Sequence, residues 1–261
     1  MTWTKICATT NLDDAKLAVS AGADALGFIF ASSPRQIQPE TAAAIIGALP
    51  SDIAKIGVTI NQSPDDAANL AQEVGLTGIQ LQGEEAADQL WAYRSALGSR
   101  KIIKTLQARQ LLAGGDDYLS QYLGVAEFFD AVLLDAGVPG QPGGTGARFD
   151  WNALLPIVSR IKQRKPVIIA GGLTTENVPE AVHLFEPWGV DVASGVEIKP
   201  GRKDEPELFI QARMRPCTPP RQQTFAAGPG PWPDRGDPAL RGSRSAKNSE
   251  TPGQWLNNPI P

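Results

Sequence analysis

Titratable side chains suited to neutral pH are scarce in this chain. It has one histidine, His183, and two cysteines, Cys7 and Cys217. His183 falls inside a helical pattern well past Gly171-Gly172, so the usual acid–base side chain is missing from the end where chemistry is expected. The cysteines lie in unlike settings and form no disulfide framework. No stretch approaches membrane-spanning length, and MTWTKICATT lacks the apolar core of a signal peptide. The expectation is a cytoplasmic protein without a membrane partner. No strand pattern is followed by G-x-G-x-x-G and no G-x-x-x-x-G-K-[ST] occurs, which removes both common nucleotide-binding loops. Aromatics are sparse at 7%, and the net charge of −4 gives no general attraction to nucleic acid.

An apolar fraction of 42% is present, and its distribution carries the fold. Short apolar runs recur at Trp3–Cys7, Ala25–Phe30, Ala54–Ile60, Gly78–Leu81, Lys101–Leu106, Ala131–Leu134, Val167–Ala170 and Val190–Ala193. Between them lie helical patterns with start signals. Asn11 or Asp13 opens the first, Pro39 the second, and Ser63-Pro64-Asp65-Asp66 the third. Further helices are expected over Glu84–Leu97, up to Tyr122, and over Trp151–Lys162. Strict alternation with apolar strands of four to seven residues argues a parallel sheet. Eight units within residues 1–213 fit a (β/α)8 TIM barrel near its lower size limit, with an open doubly wound sheet as the rival.

The most informative stretch is Pro166–Asp204. The apolar run Val167–Ala170 stops at Gly171-Gly172, and Thr174 or Thr175 is positioned to cap the next helix. The pattern then repeats, with Val190–Ala193, Ser194-Gly195 and a last helical piece from Asp204. Two adjacent strand–Gly–helix units suit an anion, and in an eight-stranded barrel phosphate usually sits beyond strands seven and eight. The alternative is that these glycines only shape tight turns.

From Met214 the pattern is lost. Residues 214–261 hold ten of the 22 prolines and six basic against three acidic side chains, which leaves residues 1–213 at −7. This Pro/Gly/Arg-rich segment is expected to be a low-complexity, disordered tail, because it has too little apolar surface to offset its ordering entropy.

Taken together, the motifs resemble the phosphoribosylanthranilate isomerases of tryptophan biosynthesis. The matching residues are Lys5-Ile6-Cys7, Gly27-Phe28-Ile29-Phe30 with Ser33-Pro34-Arg35, and Gln80-Leu81 with Gly83. They continue with Leu134-Asp135, Gly143-Gly144-Thr145-Gly146, Phe149-Asp150-Trp151, and Ala170-Gly171-Gly172-Leu173 with Asn177. Asp191, Ser194-Gly195-Val196-Glu197, Gly201 and Lys203-Asp204 complete the set, which spans residue 4 to about residue 212. The resemblance implies a (β/α)8 barrel that catalyses an Amadori rearrangement without metal or organic cofactor. N-(5-phosphoribosyl)anthranilate would become 1-(2-carboxyphenylamino)-1-deoxyribulose 5-phosphate.

By that resemblance Cys7 is the base and Asp135 the acid, and Arg35 holds the anthranilate carboxylate. Asp191 would meet sugar hydroxyls. Gly171, Gly172, Ser194 and Gly195 would bind phosphate, with Gly143, Gly144 and Thr145 closing over it. From the residues alone, Arg35 is equally a solvated loop arginine, Asp191 a turn residue, and Cys7 a small buried hydrophobe. Lys5 shares a face with Cys7 by strand period, either tuning its thiol or packing in the barrel. Three positions depart from the family pattern: Ala8 replaces a glycine, Thr59 an aromatic, and Gln82 the histidine of Q-L-H-G. The competing readings are another sugar-phosphate barrel and an impaired barrel that only binds a phosphorylated metabolite.

Overall fold

Strand β1 (Trp3–Ile6) leads into helix α1 (Leu12–Ser20), and the same step is repeated around a ring. It continues as β2 (Ala25–Ile29), α2 (Pro39–Gly47), β3 (Ala54–Thr59), α3 (Pro64–Val74), β4 (Gly78–Leu81) and α4 (Leu90–Leu97). Then come β5 (Lys101–Gln107), α5 (Ala108–Gly124), β6 (Ala131–Asp135), α6 (Trp151–Lys162), β7 (Val167–Ala170), α7 (Val178–Phe185) and β8 (Gly189–Val192). A hairpin of β9 (Glu197–Lys199) and β10 (Arg202–Lys203) precedes the last helix, α8 (Glu205–Arg213). This computed structural model describes residues 2–135 and 151–213. Gly143–Gly146 and the 214–261 segment lie outside them.

All eight barrel strands pair in parallel and in sequence order. The ring closes where β1 meets β8, with Lys5 opposite Asp191 and Ile6 opposite Val192. The chain therefore forms the (β/α)8 barrel expected from its alternation. Side chains of one strand face, such as Leu26, Ile79, Leu81, Leu134, Ile169 and Val190, join Ala15, Leu70, Leu154 and Ala181 of the helices in one apolar layer. The alternating positions, among them Lys5, Gly27, Gln80, Thr105, Leu133 and Asp191, consequently point into the barrel. Here the interior is unusually polar.

Local start signals hold at three helices, and α2 opens on Pro39 as expected. Asn11 accepts the N–H of Asp14, and Ser63 accepts that of Asp66 with Pro64 next to it. Elsewhere the structure differs from expectation. Helix α7 begins at Val178, not at a Thr174 or Thr175 cap. Asn177 instead ties the turn together, accepting from Thr174 N at 2.9 Å and donating to the Gly172 carbonyl at 2.9 Å. Thr175 donates to Glu207 of α8, which fastens the last helix. The expected Glu84–Leu97 helix is preceded by a 3-10 turn at Ala87–Gln89, because Glu85 is pulled inward onto Lys104. The β9–β10 hairpin had no strand signal, being short, polar and turned at Gly201 with φ +77°.

Candidate active site

The C-terminal ends of the strands surround a cavity of about 390 Å³, within the range of small-molecule sites. Cys7, Gln82, Asp135, Gly171, Gly172, Asp191 and Ser194 all line it. Arg35 and Gly195 stand outside that lining, and Gly143, Gly144 and Thr145 fall outside the described residues. His183 is exposed on α7, away from the cavity, as its place in the sequence implied.

Cys7 is the first residue beyond β1. Its N–H donates to the Val192 carbonyl at 2.8 Å, and Ala8 then turns the chain with φ +63°. That is the left-handed region, where glycine is favoured and a side chain is strained. It gives physical content to the departure at Ala8. Space for the thiol comes from β2. A Cβ on Gly27 would lie 2.7 Å from Cys7 Sγ and 3.0 Å from Lys5 Nζ, so glycine is needed there.

Lys5 is fully buried and its Nζ donates to Asp191 Oδ2 at 2.9 Å. The other carboxylate oxygen, Oδ1, is buried without a partner. Burial works against the Lys5 ammonium, but Asp191 and Cys7 outweigh it and raise its pKa. Burial also pushes the Asp191 carboxyl up, against the pull of Lys5. The Cys7 thiol is raised above its ordinary value, first by burial; Lys5 and Lys203 pull it down while Asp191 pushes it up. Lys5 thus both packs inside the barrel and acts electrostatically on Cys7.

Asp135 ends β6. Its Oδ2 accepts from Gln82 Nε2 at 3.2 Å. Gln82 Oε1 in turn accepts from Gln80 Nε2 at 2.6 Å and Thr105 Oγ1 at 2.9 Å. The loop that carries Gln82 is pinned by Glu85, which accepts from Asn61 N, Gly83 N and the buried Lys104 Nζ.

Arg35 follows β2 and reaches the β9–β10 hairpin. Its Nε donates to Glu197 Oε2 at 2.8 Å, while its two terminal nitrogens bond no described residue. Glu197 Oε1 also accepts from Lys203 Nζ at 3.1 Å. Lys203 Nζ donates as well to the carbonyls of Cys7 at 2.5 Å and Ala193 at 3.2 Å. Burial lowers the pKa of Lys203, opposed by Glu197 and the Cys7 thiol. Glu197 and Lys203 belonged to the matched motifs but had no role in the sequence reading. The only local signal was the Pro200-Gly201 turn that folds them back.

Two glycines form the floor beyond β7, with φ +89° at Gly171 and +67° at Gly172. A Cβ on Gly172 would meet nothing within 4 Å, so its backbone lies open. Gly195 differs: a Cβ there would overlap the Leu173 carbonyl, and the residue forms an isolated bridge with Thr174. Its absent side chain lets the loops after β7 and β8 touch. Among the described residues, no group of three or more His, Cys, Asp or Glu could hold a metal ion.

The model of the N-(5'-phosphoribosyl)anthranilate (PRA) isomerase family matches residues 4–211. The N-(5'-phosphoribosyl)anthranilate isomerase of Desulforudis audaxviator is 40% identical over 210 residues, covering 80% of this chain and 95% of the relative. The crystal structure of the phosphoribosyl anthranilate isomerase from Thermotoga maritima superposes with a TM-score of 0.69 at 36% identity, covering 80% of this chain and 96% of that one. Another solved phosphoribosyl anthranilate isomerase is in complex with reduced 1-(o-carboxyphenylamino)-1-deoxyribulose 5-phosphate. It superposes with a TM-score of 0.67 at 34% identity, over 82% of this chain and 97% of that one. Fold, motif order and similarity over 80% of the chain agree, and the chain belongs to the N-(5'-phosphoribosyl)anthranilate isomerase family.

Proposed function

We propose that the enzyme carries out its Amadori rearrangement with Asp135 as general acid and Cys7 as general base. The observation that carries this reading is that the two groups line one cavity from separated strands, β6 and the end of β1, so they can flank one substrate. Protonated Asp135 gives its proton to the furanose ring oxygen. The C1–O bond breaks as the anilino nitrogen lone pair forms the iminium. Cys7 thiolate then takes the proton on C2, and those electrons neutralise the nitrogen to leave an enol. Tautomerisation removes one proton from the enol oxygen and returns one to C1, so Asp135 and Cys7 regain their starting forms.

The remaining groups divide the substrate. Asp191 Oδ1, buried and without a donor, suits a sugar hydroxyl. With Nε held by Glu197, the terminal edge of Arg35 suits the anthranilate carboxylate as a planar fork. The open backbone at Gly172, with Gly171 and Ser194 beside it in the cavity lining, suits the 5-phosphate, and Gly143, Gly144 and Thr145 are assigned to closure over it. Gly195 supports that phosphate site by letting the two loops approach. This reading places the enzyme in the cytoplasm; no helix among the described residues is long and apolar enough to cross a membrane.

Steady-state kinetics on Cys7→Ser and Asp135→Asn test the assignment. Each should lower kcat by at least about a hundredfold, the scale of acid–base groups, with an unchanged circular dichroism spectrum. A Cys7→Ala enzyme within tenfold of the parent would remove the thiol from the mechanism.

A further inference from the structure

Gln82 stands where the family motif has a histidine, and it contacts the proposed acid directly. Its amide has one oxygen and one nitrogen at equivalent places, and each has partners in the structure. Nε2 donates to Asp135 Oδ2 at 3.2 Å. Oε1 accepts from Gln80 Nε2 at 2.6 Å and Thr105 Oγ1 at 2.9 Å. In this orientation the amide serves an ionised Asp135, because a carboxylate only accepts.

A half-turn of the amide exchanges its two atoms in place. Oε1 then faces Asp135 and accepts from the carboxylic acid. Nε2 faces the other way, with two hydrogens for the two groups behind it. The Thr105 hydroxyl accepts as readily as it donates. Gln80 presents its own oxygen by the same half-turn. That oxygen is now buried without a partner, so turning Gln80 breaks no bond on that side. Three contacts are made in either orientation, and Gln80 leaves one amide atom unpaired in both.

We propose that Gln82 is a reversible positioning residue for Asp135. It donates to the carboxylate and accepts from the acid, with Gln80 and Thr105 exchanging roles behind it. The inference rests on the reading of Asp135 as the acid. As Asp135 gives up its proton to the ring oxygen, the amide turns and holds the carboxylate in the same place, ready to be reprotonated. A fixed donor would favour the carboxylate and hinder the acid; a reversible one holds Asp135 without favouring either form. Among the described residues, the other titratable groups lining the cavity are Cys7 and Asp191, with Lys5 behind Asp191, and none of them hydrogen-bonds Gln82.

The test is the pH dependence of kcat and KM for Gln82→Met in the full-length chain, a swap that keeps length and removes both hydrogen-bonding atoms. The reversible role predicts kcat lower by at least about tenfold, KM within twofold, and no movement of the limb on which Asp135 loses its proton. An upward shift of that limb by about one pH unit would show a one-way donor to the carboxylate and overturn the proposal. An unchanged kcat with a lowered Tm would show a structural role and overturn it too. If Gln82→Met does not fold, Thr105→Val removes one partner behind the amide; it should lower kcat severalfold without moving the limb, and an unchanged kcat overturns the proposal. Asp135→Asn run alongside separates the two readings. If it keeps full activity, the acid assignment itself fails, whereas a crippled Asp135→Asn beside an unaffected Gln82→Met sinks the amide role alone.

Discussion

At the scale of single residues, three buried titratable groups share little space at the ends of β1 and β8. Lys5 lies between Asp191, its hydrogen-bond partner, and Cys7, which packs against the same gap left by Gly27. Asp191 pushes the thiol up while Lys5 pulls it down, so the thiolate competes with the carboxylate for one ammonium. This gives a prediction with a definite sign. Asp191→Asn keeps a hydrogen-bond acceptor for Lys5 but removes the competing charge, and the Cys7 thiolate becomes the ammonium's counter-ion. In a Cys217→Ser background, alkylation of Cys7 by iodoacetamide at pH 7 should accelerate, by roughly tenfold for each unit that the thiol falls. A rate equal to or below the parent's would mean that Lys5 is not coupled to Cys7. In the parent, with the thiol raised by burial, the alkylation rate should still be climbing above pH 8.5, the ordinary thiol region of about 8.5.

At the scale of elements, the site depends on glycines that do different jobs in similar words. Gly171-Gly172 and Ser194-Gly195 look like two copies of one strand–Gly unit in the sequence, yet only the first keeps an open backbone at the cavity. The second is a contact between loops. Ala at Gly172, where φ is +67° and space is free, should cost only the strain of the left-handed region, about 1–2 kcal/mol. Ala at Gly195 would drive the loops after β7 and β8 apart, because its Cβ meets backbone and not a flexible side chain. Gly195→Ala should therefore lower Tm more than Gly172→Ala does, and should also raise KM. Equal Tm values for the two variants would show that the loops separate without cost. That difference was not legible in the sequence, which records that a Cβ is absent but not what would fill its place. The hairpin β9–β10 escaped for a related reason. Its stability comes from Glu197 and Lys203 reaching back to Arg35 and the Cys7 carbonyl, contacts between residues far apart in the chain.

At the scale of the whole molecule, the barrel was legible because each of its eight strands is a short apolar run bounded by breakers, and parallel pairing needs nothing more specific. Cys7, Asp135 and Asp191 line one mouth because strand ends in this fold converge by topology. Long-range polar pairing was invisible: the sequence offered Gln82 as a departure from a motif, and Arg35 without its Glu197. The same apolar logic sets the expectation for residues 214–261. The family match ends at residue 211, and an alignment over 210 residues, 80% of this chain, already covers 95% of the Desulforudis audaxviator relative. Helix α8 is fastened by Glu207 to Thr175 and buries Leu208, so the last barrel element has its own anchors within residues 2–213. Truncation after Arg213 should leave kcat, KM and Tm unchanged within error, since the removed segment carries no apolar period with which to pack. A Tm lower by more than a few degrees, measured by thermal melts of the truncated and full-length chains side by side, would show that the segment packs on the barrel after all.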